Sequence, residues 1–129
     1  MRIKYLNTDL DLRSKEDLRP LARAFQRQGL YTLHVDRASN RDWYATFELD
    51  TVGRRPNVHV NGILNAVEAL EGKACALWNN CTVRELNLGY DSGVKPWHVT
   101  HGLSARLLAR MSKVGLSLRI TIYKVQPDD

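Results

Sequence analysis

Two alternating segments that follow each other closely constrain the fold more than any other feature. Tyr31 to Asp36 and Trp43 to Leu49 both alternate apolar with polar residues, the pattern of a strand with one buried face. Only the polar run Arg37 to Asp42 separates them. A run this short makes a hairpin the natural connection. The sequence therefore predicts two antiparallel neighbouring strands.

The same period of two recurs in three other places. It predicts strands at Arg2 to Leu12, at Glu85 to Tyr90 and at Leu116 to Tyr123. The last is the clearest, because four apolar residues alternate there with Ser117, Arg119, Thr121 and Tyr123. We therefore expect five strands in all.

Helical spacing separates these strands. We expect a first helix with its cap at Asp17, Pro20 in its first turn and a stop at Gly29. A loop over Thr51 to Asn57 precedes a helical stripe from Val60 to Leu70, which Gly72 ends or kinks. The remaining helices are a short one at Ala74 to Trp78 and one that begins after Ser104 and ends at Gly115.

The order of the main elements is β-α-β-β-α-β-α-β, which predicts an α+β fold. The first six match a ferredoxin-like (split βαβ) arrangement, with one helix and one strand appended. We expect a single domain over residues 1–129, with a five-stranded, mainly antiparallel sheet. The helices should cover one face of the sheet and leave the other partly solvated.

Composition indicates an ordinary globular protein, with 43% hydrophobic and 26% charged residues. No apolar run approaches the roughly 18 residues that cross a bilayer, and the first residues do not form an apolar signal block. We therefore expect a cytoplasmic protein without membrane association. In that compartment Cys75 and Cys81 are expected to stay free thiols.

The densest group of chemically capable residues lies in the loop from Tyr90 to His101. It holds Asp91, Trp97, His98 and His101. Asp91, His98 and His101 suit a divalent metal ion, and Asp91 with His98 suits acid–base chemistry. The alternative is a turn aspartate, surface histidines and a Trp97 that packs on the sheet. Cys81 also has two interpretations. It is either a thiol nucleophile with His98 or His101 as its base, or a buried free cysteine.

Several function classes are disfavoured. The sequence has neither GxxxxGK[ST] nor GxGxxG after a strand, so nucleotide chemistry is not expected, and we expect no cofactor. Aromatic RNA platforms on such sheets need two or three stacked rings. Only Tyr44 and Tyr123 qualify here.

Basic residues follow one side of two predicted helices, and the net charge is +5. At helical spacing they are Arg19, Arg23 and Arg27 on the first helix and Arg106, Arg110 and Lys113 on the last. Together they suit phosphates or an acidic protein partner. Amphipathic helices also need a solvated face, which is the structural reading of the same pattern.

The C-terminal half resembles a bacterial family of small domains of unknown function, some of which are grouped with polymorphic-toxin immunity proteins. The resemblance rests on Asn87-Leu88-Gly89-Tyr90, on Gly102-Leu103-Ser104 and on Gly115 before Leu118 to Tyr123. It covers about half the chain and carries no catalytic residue. It implies a bacterial binding protein.

We therefore expect a non-enzymatic protein-interaction module, immunity-like in role, whose partner is another protein of acidic character. The first alternative is a nucleic-acid-associated protein that uses the six basic residues. The second is a small metal-binding protein or enzyme centred on Asp91, His98 and His101.

Overall fold

The computed structural model describes residues 1–49 and 55–124, and these residues form five strands and four helices. The strands are β1 Lys4–Ser14, β2 Leu30–Arg37, β3 Trp43–Leu49, β4 Val83–Asp91 and β5 Ser117–Tyr123. The helices are α1 Arg19–Arg27, α2 Pro56–Glu68, α3 Gly72–Asn79 and α4 Ala105–Lys113. Residues 51–54 of the predicted loop at Thr51 to Asn57 lie outside the described residues.

All five strands belong to one sheet in the order β2-β3-β1-β4-β5. Neighbouring strands are antiparallel from β2 through β4, and the predicted hairpin of β2 and β3 is confirmed. Strand β5 pairs parallel to β4, because α4 crosses between them. The predicted α+β fold is confirmed, with a mixed sheet.

The central strand β1 separates the two faces of the sheet. Leu10 and Leu12 are completely buried and contribute to the core, whereas Asp9 and Asp11 lie on the opposite face. Helix α2 contacts β1 and β3, and α1 contacts β2. Phe25 of α1 meets Phe47 of β3 with their ring centroids 5.0 Å apart. The helices therefore pack on the face opposite the aspartates.

The predicted ends of α1 and α4 are largely correct. Gly29 and Gly115 follow these helices with φ of 89° and 75°, the left-handed conformation that stops a helix. The Ser104 hydroxyl accepts the backbone N–H of Leu107 at 3.2 Å, as expected for a cap. At α1 the capping residue is Leu18 and not Asp17. The Asp17 carboxylate instead accepts the backbone N–H of Arg19 at 2.9 Å.

The bounds of α2 differ more from the prediction. It begins at Pro56, which needs no N–H in the first turn, so the predicted loop ended too late. It ends at Glu68, and Gly72 begins α3 instead of ending α2. None of the described helices is long and apolar enough to span a membrane.

Arg84 of β4 joins the C-terminal ends of α3 and α4 to the sheet. Its guanidinium donates to the carbonyls of Trp78, Asn79 and Cys81 and to the carbonyl of Gly115, at 3.1 to 3.2 Å. Helix C-termini leave carbonyls without partners, and a cation there also complements the helix dipole. Arg84 therefore satisfies two helix ends with one side chain.

We expect Arg84→Ala to lower the free energy of unfolding by about 2–3 kcal/mol, because it leaves several carbonyls with poorer partners. Urea denaturation followed by circular dichroism measures this change. The exposed Arg13 of β1 is the control, since Arg13→Ala should change stability by less than about 0.5 kcal/mol. Equal effects of the two substitutions would contradict this account of Arg84.

Candidate functional site

Strand β5 presents its apolar row to solvent. Leu118, Ile120 and Ile122 are 43%, 58% and 67% exposed, although the matching residues of β4, Leu86 and Leu88, are buried. Helix α4 contacts α2 and does not extend over this row. The expectation that the helices would cover the apolar faces of all strands is therefore wrong for β5.

The other edge of β5 is also open. The strand is the last in the sheet, and no strand in residues 1–49 or 55–124 pairs with its outer side. Its pairing with β4 is regular from Ser117 to Tyr123. The opposite edge strand, β2, has a register shift between Thr32 and His34, and such irregularities protect edges from pairing. Strand β5 has no such shift.

A groove of about 470 Å³ lies beside the exposed row. Its apolar and aromatic lining comes from the residue before β1, from β4 and β5 and from the loop after β4, namely Ile3, Tyr90, Val99, His101, Ile120 and Ile122. This volume falls in the range of sites that bind small molecules or anchoring side chains. The groove and the apolar row form one continuous surface, because Ile120 and Ile122 belong to both.

The loop after β4 is tied to the start of the chain and to β5. The N–H of Val94 donates to Met1 at 3.1 Å, the N–H of Ile3 donates to Lys95 at 2.9 Å, and the Ser92 hydroxyl donates to the Tyr123 carbonyl at 2.8 Å. Gly93 permits this approach, since a Cβ there would lie 2.5 Å from the carbonyl carbon of Arg2. The loop is therefore held in place beside the groove.

Trp97 extends from this loop into solvent. Its side chain is 95% exposed, so the expectation that it packs on the sheet is wrong. Val94, four-fifths exposed, belongs to the same loop. The loop therefore holds a large apolar ring in solvent.

The predicted ligand loop does not assemble a metal site. Within the described residues, no three His, Cys, Asp or Glu side chains are placed to hold an ion. His101 stacks on Tyr90 with ring centroids 5.7 Å apart, and its Nδ1 lies 3.1 Å from the Tyr90 hydroxyl. His98 is exposed, and no hydrogen bond in the described part of the chain joins it to Asp91. The geometry thus supports neither a ligand set nor an acid–base pair.

Cys81 is buried, and its thiol donates to the Leu77 carbonyl at 3.3 Å. Burial raises the pKa of this thiol to about 11, which keeps it protonated and a poor nucleophile. Both Cys75 and Cys81 are free. Of the two interpretations of Cys81, the structure therefore supports the buried free cysteine and not the nucleophile.

A polar pair that the sequence analysis missed lies between β1 and α2. The Tyr5 hydroxyl lies 2.7 Å from Nδ1 of His59 and also bonds to Thr8, and burial raises the pKa of Tyr5 to about 12. His59 is 6% exposed, and its Nε2 has no partner among the described residues. Its spacing from Ile63 could have placed it on the buried side of α2, but nothing local connects it to Tyr5.

The six basic residues are divided between two helices with different neighbours. Helix α1 contacts α3, whereas α4 contacts α2. Arg19 pairs with Asp17 and lies over the Trp43 ring, and Arg110 pairs with Glu68 at 2.7 Å. The remaining four are exposed without an ion pair in the described chain: Arg23, Arg27, Arg106 and Lys113.

The open face of the sheet is acidic. Asp9 and Asp11 of β1 lie beside Glu48 of β3 and Glu85 of β4, and only Glu85 has an ion-pair partner, Arg119, among the described residues. Burial, followed by the charges of Asp11 and Glu48, raises the pKa of Asp9 to about 6. The carboxylates on this face therefore outnumber the cations that lie beside them, Arg13 and Arg119.

The raised pKa has a consequence for stability. Asp9 binds its proton more tightly in the folded protein, with a pKa of about 6 against 3.8. The protonated Asp9 carboxyl therefore contributes to the free energy of unfolding below about pH 4, and this contribution is lost as the pH rises through 6. We expect Asp9→Asn to stabilise the protein at pH 7 by on the order of 1 kcal/mol and much less at pH 4.

Urea denaturation at both pH values tests this expectation. The amide oxygen of the new side chain still accepts the Asn7 amide, which now bonds to Asp9 at 2.9 Å. The control is Glu71→Gln, which removes the charge of an exposed carboxylate instead of a part-buried one. An equal gain for Asp9→Asn at pH 4 and pH 7 would contradict the electrostatic explanation.

Comparison of the chain with protein-family models, with curated proteins and with solved structures found no match in any of the three.

Proposed function

We propose that this protein is a non-enzymatic interaction module that binds an extended segment of a protein partner along the free edge of β5. The observation that carries the proposal is the coincidence of an open strand edge with three exposed apolar side chains, Leu118, Ile120 and Ile122. In such binding the main chain of the added strand supplies hydrogen bonds, and pockets for alternate side chains supply specificity.

The groove supports this mode of binding. A strand added beside β5 places alternate side chains on the same face as Ile120 and Ile122, next to the groove that these residues line. Tyr90 and His101 stack at its wall and provide polar atoms at an apolar surface. Trp97 stands at the same end of the sheet, where a ring of this size can anchor a partner. The partner we propose is therefore an extended segment with alternating apolar residues.

The expected split βαβ fold is also a proposal. Strands β2, β3, β1 and β4 have the order and antiparallel directions of a ferredoxin-like sheet, and α3, α4 and β5 add to it. In a ferredoxin-like sheet of these four strands β4 would be at the edge, and β5 extends the sheet beyond it. The addition supplies the open edge on which the proposed binding depends.

The resemblance to bacterial domains grouped with immunity proteins makes a toxin one candidate partner, and a net charge of +5 favours an acidic one. A reducing cytoplasm, where Cys75 and Cys81 stay free, is the compartment we propose.

Affinity capture tests the proposed surface. Immobilised wild-type protein is incubated with lysate of its source organism beside two variants, Ile122→Asp on the apolar row and Arg23→Glu on α1. We expect a protein that wild type and Arg23→Glu retain equally and that Ile122→Asp loses by at least about tenfold, because a buried carboxylate opposes the contact. Equal retention by all three would contradict the proposal.

The nucleic-acid alternative rests on the four exposed basic residues of α1 and α4. We expect elution from heparin below about 0.15 M salt, because this charge is divided between two separated helices. Retention at higher salt that disappears in an Arg23→Glu, Arg27→Glu double variant would favour the alternative instead. Arg19 is left unchanged, since it pairs with Asp17.

A further inference from the structure

We propose that, without its partner, β5 pairs antiparallel with β5 of a second copy about a two-fold axis at Ile120, so that self-pairing closes the binding edge. This inference rests on the proposed function, because it regulates the same site. It identifies a second copy as the occupant of the free edge and gives the register in which the two strands pair. It also predicts that the dimer and the partner compete for this edge.

The open edge itself favours a second copy. A regular, apolar edge strand is a template for any strand that meets it, and soluble proteins cover or interrupt such edges. Strand β2 is interrupted by its register shift, whereas β5 is not. Pairing β5 with β5 gives a closed dimer, whereas pairing β5 with β2 would extend without limit. The symmetric pair is therefore the arrangement compatible with a soluble protein.

Side-chain chemistry selects the register. With the two-fold axis at Ile120, Leu118 lies opposite Ile122 of the other copy and Ile120 lies opposite itself, so every facing pair in the row is apolar. On the other face Arg119 lies opposite Thr121. An axis at Arg119 would place two guanidinium groups opposite each other, which is unfavourable in a sheet.

Neighbouring registers fail for related reasons. An axis at Thr121 places Leu118 opposite Lys124, which brings an ammonium group against the apolar row. An axis between two residues pairs apolar with polar positions, because a slip of one residue exchanges the faces. Of the axes near the centre of β5, the one at Ile120 keeps the apolar row continuous across both copies.

No helix in residues 1–49 or 55–124 covers the row, which leaves the contact sterically open. The row that would meet its copy is more than two-fifths exposed at each position, and α4 lies toward α2. A seven-residue strand offers a short interface, which is typical of weak association. We expect a dissociation constant of roughly 10–100 µM, which a partner with more contacts can overcome.

Cysteine substitutions on a Cys75→Ser background test the register, and Cys81 is buried and remains. Mild oxidation should link Ile120→Cys to itself, because facing Cβ atoms in antiparallel strands lie about 4.5–5.5 Å apart. Leu118→Cys alone should not link, since its two copies would lie about 14 Å apart along the strands. An equimolar mixture of Leu118→Cys and Ile122→Cys should link as a heterodimer.

Sedimentation from about 5 to about 500 µM should show a dimer that forms with concentration in the wild type and is lost in Ile120→Lys. Leu33→Lys on the opposite edge is the matched control and should keep the dimer. Circular dichroism confirms that each variant is folded. If Ile120→Lys does not fold, the cysteine pattern alone decides, because those substitutions are small and lie at exposed positions.

The outcomes separate the two proposals. A monomer at every concentration, or linkage by Leu118→Cys alone, overturns self-pairing at Ile120. If Ile122→Asp still loses a captured protein in that case, the proposed function stands without self-pairing. A wild-type dimer with the expected linkage and no captured protein overturns the proposed function instead. If both proposals are correct, adding the captured protein should convert the dimer into a complex that contains one copy of this chain.

Discussion

The pairing of β1 with strands on both sides is the constraint on which the rest of the structure depends. Its side chains alternate between Leu10 and Leu12 in the core and Asp9 and Asp11 on the open face, and a slip of one residue would bury the carboxylates. With β1 central, β2 and β5 become the edges of the sheet. The helices pack over the centre of the sheet and do not extend over the apolar row of β5.

Charge is divided between the two sides of the molecule. The chain carries a net charge of +5, but four carboxylates gather on the open face of the sheet, and six of the basic residues lie on α1 and α4. The sequence could place residues on one strand face, but it could not show that three strands bring their carboxylates together. Burial, together with that proximity, raises the pKa values of Asp9 and Asp11. A net charge therefore says little about which surface a partner meets.

Local patterns predicted the elements well, because alternation, caps and glycine stops act within a few residues. The bounds of β3 and the caps of α4 follow from such signals. What failed depends on distant parts of the chain. Whether a helix covers β5 is decided by the packing of α4 on α2, and the link between Tyr5 and His59 joins residues 54 positions apart. Periodicity reveals which residues share a face, but not what lies over that face.

The composition of β5 is the strongest reason to look for a binding role there. Ile120, Thr121 and Ile122 are all β-branched and suit a strand equally, so strand propensity does not explain why two of them are apolar. Thr121 faces the hydrated side and bonds to Asn87, whereas the isoleucines face the groove and remain more than half exposed. Intramolecular packing gains little from apolar atoms that stay in water. An apolar row at an open edge is stabilising only when another chain covers it.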